Sequence, residues 1–186
     1  GTTQLPAYSD SGTGGYFKPA MLLLNRTYGN GKAGYFLKKN GLDKDAFNVL
    51  VYANYEPVIT EPTESDYVAF VERVGYGGMR TGWEDGELMF YIIGNDSNTG
   101  HNHYDQLSFQ INTDGLWPAS DPGYSNLSGG FDEMQAHNII LVDGQWQTIK
   151  GTASLKPVVD AQLYGQLEGS APNTYAEGLL SQWDRN

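Results

Sequence analysis

Three histidines lie close together in the chain, at His101, His103 and His137, with carboxylates between them at Asp105 and Asp121. The run His101-Asn102-His103-Tyr104-Asp105 alternates, so on a β-strand His101, His103 and Asp105 would project from one face. Asp121-Pro122-Gly123 begins 18 residues after His103, and His137-Asn138 begins 16 residues after Asp121. Imidazole and carboxylate together suit Zn2+ and, less selectively, Mn2+, Fe2+ or Ni2+. Zinc takes about four ligands, so these five groups compete for fewer places. The competing structural reading of Asp105 is a carboxylate that hydrogen-bonds backbone beside a turn, and of Asp121 a plain turn residue.

Strand-like runs surround this cluster. Tyr67–Val71, Leu88–Ile93 and Leu107–Ile111 read as strands, and Asn138–Val142 and Val158–Tyr164 do so less regularly. Gly77-Gly78, Asp85-Gly86, Asp114-Gly115 and Asp143-Gly144 read as the turns between them. The expected fold is mainly β, an antiparallel β-sandwich preceded by a short helical segment. Residues 16–28 carry Phe17, Ala20, Met21, Leu24 and Tyr28 at a period near that of a helix. Gly34–Lys39 and Asp43–Ala53 are two further helical candidates, and Pro57 ends the segment. The domain reading is therefore 1–60 helical and 61–186 sandwich, with a boundary between Pro57 and Asp66. The sandwich is expected to be incomplete at its C-terminus, because a sheet cut there would expose an edge.

Composition narrows the function classes. The 186 residues hold 11 Lys and Arg against 22 Asp and Glu, a net charge of −11. No basic cluster offsets it, so neither nucleic acid nor an anionic membrane surface is an expected partner. No apolar run approaches the roughly 18 residues that span a bilayer. Cysteine is absent, so disulfides and Cys-ligated metals are excluded. The start Gly1-Thr2-Thr3-Gln4 has neither an initiator Met nor the pattern of a secretory signal, and reads as a processed or excerpted end. Trp83, Trp117, Trp146 and Trp183 could stack on sugars where exposed.

The residues carry a family resemblance. Gly100-His101-Asn102-His103-Tyr104-Asp105-Gln106-Leu107-Ser108-Phe109, Asp121-Pro122-Gly123-Tyr124 and His137-Asn138-Ile139-Ile140-Leu141-Val142-Asp143-Gly144 resemble, in that order, motifs of the heparinase II/III-like polysaccharide lyases. Met79-Arg80-Thr81-Gly82-Trp83 resembles an arginine-bearing strand that precedes them, and Leu5–Ser11 a segment late in the family's helical domain.

The resemblance implies an incomplete α/α toroid followed by a β-sandwich, with residues 1–60 as the end of the toroid. It implies β-elimination on a uronate-containing polysaccharide by a secreted or periplasmic enzyme. It implies one structural zinc held by His103, Asp121 and His137, with Asp105 in a supporting hydrogen bond. His101 would face the substrate as a catalytic residue, and Arg80 would bind it. The family's catalytic Tyr and its carboxylate-neutralising residue lie upstream of this chain, so the missing helical domain of the same protein is an expected partner, and this segment alone is expected to be inactive. Two alternatives stand beside the lyase. One is a non-catalytic carbohydrate-binding β-sandwich. The other is a cupin-like metal enzyme, whose His-x-His is followed by a Glu ligand that Tyr104–Ser108 does not supply.

Overall fold

A computed structural model describes residues 18–41, 56–96, 102–123, 136–148, 152–161 and 164–186. His101, the helical candidate Asp43–Ala53, the segment Leu5–Ser11 and Tyr124 lie outside the described residues. The chain forms two compact units, one comprising Gly14–Thr63 and the other containing Glu64–Asn186.

In the smaller unit, helix α1 (Lys18–Tyr28) packs against α2 (Gly31–Asn40). The Asn30-Gly31 break predicted from sequence is the N-terminus of α2: the Asn30 side chain accepts from Ala33 N at 3.0 Å, a helix N-cap. Buried Asn25 ties both parts down, its Nδ2 donating to the carbonyls of Asn30 and Val58, each at 2.6 Å. No described helix is long and apolar enough to cross a membrane.

The larger unit is an antiparallel sandwich. Strands β1 (Val68–Val71), β2 (Tyr76–Arg80), β3 (Leu88–Ile93), β4 (Phe109–Thr113) and β5 (Leu116–Ala119) form one sheet in sequence order. Strands β6 (Ser154–Ala161), β7 (Tyr164–Ser170) and β8 (Asp184–Arg185) form the other. Ile92 from the first sheet meets Leu155 and Leu167 from the second, with Val68, Phe70, Met79 and Phe90 packed around them. Two separate sheets meeting face to face make a sandwich, not the closed barrel of the cupin alternative.

Three local expectations are corrected. Gly77-Gly78 is not a turn but the middle of β2. A Cβ on Gly77 would lie 2.6 Å from Leu167 Cδ1 and 3.0 Å from Leu155 Cδ2, so glycine there lets the sheets approach. Asn138–Val142 is not a strand; the segment is irregular until a single bridge, Val142 to Gln145, closes the Asp143-Gly144 turn. Ile140 and Leu141 are exposed there, so the apolar run does not mark a buried strand. The run Val158–Tyr164 is not one strand but two, since β6 ends at Ala161 and β7 begins at Tyr164. The turns at Asp114-Gly115 and Asp143-Gly144 form as expected, with φ of 51° and 77°, and 50° and 74°.

Candidate metal centre

The alternating run around His103 is a loop rather than a strand, because β4 starts only at Phe109. The loop closes on a turn in which Ser108 N donates to the Asp105 carbonyl at 2.8 Å. Leu107 sits inside that turn at φ 63°, a left-handed conformation that ordinarily favours glycine. The position keeps leucine because the side chain fills a core with Ala153 and Ala171, where it is fully buried.

Buried amides hold the loop from behind. Gln147 Oε1 accepts from Gln106 N at 2.9 Å, and Gln147 Nε2 donates to the Gln106 carbonyl at 2.8 Å. Gln106 Oε1 in turn accepts from Asn95 N at 2.9 Å, and Asn102 Nδ2 donates to Asn95 Oδ1 at 3.1 Å. Gln147 thus presents its side chain as a strand neighbour would, satisfying both backbone groups of Gln106 where water is excluded.

His103, Asp105 and His137 each offer a ligand atom within 4.8 Å of the others, and all three are buried. The two imidazole rings have centroids 5.3 Å apart. Both oxygens of Asp105 are buried without a hydrogen bond, as are Nδ1 of His103 and Nε2 of His137. The other nitrogen of His137, Nδ1, lies 2.6 Å from Asp121 Oδ2, and Asp121 Oδ1 accepts from Gly123 N at 2.8 Å. Asp121 therefore fixes the ring and tautomer of His137, as carboxylates behind metal-bound histidines do.

The structure brings together the four residues that the sequence pointed to. His103, Asp105 and His137 gather their ligand atoms, and Asp121 sits against His137, its two oxygens taken up by the imidazole and the Gly123 amide.

A buried carboxylate with no hydrogen bond is expensive unless a cation or proton joins it. Burial pushes the Asp105 carboxyl up to about 6; Asp121 pushes the same way, and His137 and His103 pull against it. With neutral imidazoles the four buried groups carry two negative charges, which one divalent cation cancels. The donor set of two imidazoles and a carboxylate is one that zinc accepts, with a fourth position left for another group. The residues present thus fit a zinc ion.

The Asp-His pairs are stitched to one another by Asn138. Its Nδ2 donates to the carbonyls of Phe109 at 2.9 Å and Ser120 at 3.1 Å, and its backbone N donates to Ser108 Oγ at 3.2 Å. Phe109 follows the His103–Asp105 loop and Ser120 precedes Asp121, so Asn138 joins all three segments. Sequence reasoning passed over Gln147 and gave Asn138 no role of its own. Neither stands out locally: Gln147 lies among Gln145, Trp146 and Thr148, and Asn138 beside His137.

Arg80 ends β2 on the face of the first sheet turned away from the sandwich core. Its guanidinium lies 3.8 Å from the centre of the Trp83 ring, and Nη2 donates to Met89 Sδ at 2.7 Å. Tyr91 points to the same face and pairs with Trp117 at 6.1 Å. Burial raises the Tyr91 hydroxyl above its ordinary range, against the opposing pull of Arg80.

No protein-family model and no curated protein matches the sequence. Solved structures do match. A mutant of heparan sulfate lyase HepC from Pedobacter heparinus superposes with a TM-score of 0.67 at 14% identity, over 91% of this chain and 26% of that one. The fold is that of the heparinase III-type lyases. HepC itself gives a TM-score of 0.58 at 14% identity over 90% of this chain and 27% of its own. A heparinase III gives 0.52 at 18% identity, over 91% and 29%. The chain spans between a quarter and a third of the length of these lyases, and at such identities the likeness is one of fold.

Proposed function

We propose that this chain is part of a polysaccharide lyase that cleaves a uronate-containing polysaccharide by β-elimination and carries one structural zinc. The observation that supports this reading is the buried Asp105 carboxylate, without a hydrogen bond and set against His103 and His137, on a sandwich whose fold heparan sulfate lyases share. His103, Asp105 and His137 would hold the ion, with Asp121 orienting His137. Bound there, zinc supplies a fixed positive crosslink between the loops and a counter-charge for the carboxylates.

The rest follows from the chain's own residues. In β-elimination a base removes the C5 proton of a uronate and the C4 substituent leaves, so the uronate carboxylate must be neutralised to stabilise the developing enolate. His101, two residues before His103, would be aimed at the substrate by the anchored loop; such positioning is a recognised source of rate. Arg80, held flat on Trp83, would supply a local positive group for the uronate. A local cation is required because a net charge of −11 opposes the approach of a polyanion. The remaining acid-base group would come from a helical domain of the same protein, in a secreted or periplasmic setting.

The test uses the full-length protein with heparan sulfate, alginate and hyaluronan. Products absorbing in the ultraviolet as unsaturated uronates are expected, with turnover lost in His101→Ala. Saturated products would indicate hydrolysis and contradict the proposal. Glycan binding without turnover would favour the carbohydrate-binding sandwich instead.

A further inference from the structure

The strand β8 consists of only Asp184 and Arg185, yet its arginine reaches two metal-site loops at once. Arg185 Nη1 donates to the carbonyl of Leu107 at 2.5 Å and to that of Asn138 at 3.1 Å. Leu107 lies two residues after Asp105, and Asn138 one residue after His137. Those partners are 78 and 47 residues away in sequence. The guanidinium is flanked by Phe109, with 4.9 Å to the ring centre, and Trp183, at 5.1 Å. Half-buried between two rings, it has few other geometries open to it.

We infer that Arg185 is a positioning residue for the metal centre, clamping the Asp105 and His137 loops to each other from the far end of the chain. The inference rests on the metal reading above. Two features give the clamp something to hold. Leu107 has a left-handed backbone that a bulky side chain disfavours, and the arginine bond helps keep its carbonyl in that direction. The segment around Asn138 has no strand pairing to fix it, and the single bridge of its hairpin lies further on, at Val142. A charged donor bonding to two carbonyls is stronger than neutral hydrogen bonds in the same places. A lysine ammonium keeps the charge and can make both bonds from one nitrogen, so it retains part of the function; glutamine is neutral and too short to keep it.

The test measures zinc affinity of the wild-type chain, Arg185→Gln, Arg185→Lys and Ile92→Val, by competition with a chromogenic chelator, alongside thermal unfolding of the metal-free forms. Ile92→Val weakens the sandwich core, in the cluster with Leu155 and Leu167, and reports what general destabilisation does to affinity. Arg185→Gln is expected to bind zinc about 10–100-fold more weakly than wild type, the range for residues that orient metal ligands. Arg185→Lys should recover part of that loss, and Ile92→Val should bind as wild type does. Equal affinity in Arg185→Gln and wild type would overturn the clamp while leaving the metal centre intact, as would a loss no larger than that of Ile92→Val. A folded wild type that takes up no zinc would overturn the metal reading itself, and the clamp with it.

Discussion

His137 turns Nδ1 toward Asp121, at 2.6 Å, and carries its other nitrogen into a buried cluster with His103 and Asp105. One carboxylate therefore orients the imidazole while the other shares its ligand cluster. The two aspartates should respond differently to substitution. Asp121→Asn keeps the shape but loses the charge behind His137, and should weaken zinc binding about 10–100-fold. Asp105→Asn should cost considerably more, and chelator competition on both variants compares them directly. Equal losses would mean that both aspartates are ligands.

The Asp105 carboxyl gives the metal-free protein a pH dependence of known sign. Its folded-state pKa, pushed up to about 6 chiefly by burial, lies above the value of about 3.9 for an unfolded aspartate. Between those values the folded chain binds a proton that the unfolded chain does not. This contribution to stability is therefore present below the unfolded pKa and is lost as pH rises through the folded one. Metal-free wild type should lose stability relative to Asp105→Asn between about pH 4 and pH 6. Zinc affinity should fall below about pH 6, where protons compete for the same carboxylate. Denaturant unfolding across this range, with and without zinc, measures both effects.

Gln147 satisfies two backbone groups of Gln106 in a place closed to water. Gln147→Ala leaves an amide and a carbonyl orphaned, and each such group costs about 1–3 kcal/mol. The variant should unfold at lower denaturant and bind zinc more weakly, since the loop it releases carries His103 and Asp105. Gln147→Glu retains the acceptor and should restore only part of the stability.

Gly77 faces Leu167 and Leu155 of the second sheet, close enough that a Cβ would lie 2.6 Å and 3.0 Å from them. Gly77→Val forces side-chain volume into that contact and should destabilise the sandwich by about 1–3 kcal/mol, the usual range for overpacking. Zinc affinity should change little, because Gly77 touches neither ligand loop. Calorimetry with parallel zinc titration checks both statements.

The sequence revealed the sandwich through strands such as Leu88–Ile93 and through Asp-Gly turns, because such patterns depend on neighbours in the chain. The four metal-site residues were also visible, as imidazoles and carboxylates gathered in a short span. Their arrangement was not, because spacing cannot say which of Asp105 and Asp121 pairs with His137: that depends on a turn at Leu107 and on the Gly123 amide. Gly77-Gly78 misled for a related reason. The same glycines that suit a turn also suit a close sheet contact, and only Leu167 from a distant strand decides between them. Gln147 and Arg185 were illegible since their partners lie 41 and 78 residues away.

The most direct test of the account is the metal content of the purified chain, by elemental analysis after zinc loading and removal of excess ion, with Asp105→Ala beside it. The account predicts one tightly held zinc per wild-type chain and none in the variant, with both proteins folded by circular dichroism. A folded wild type that holds no zinc, or an Asp105→Ala chain that keeps it, would contradict the account.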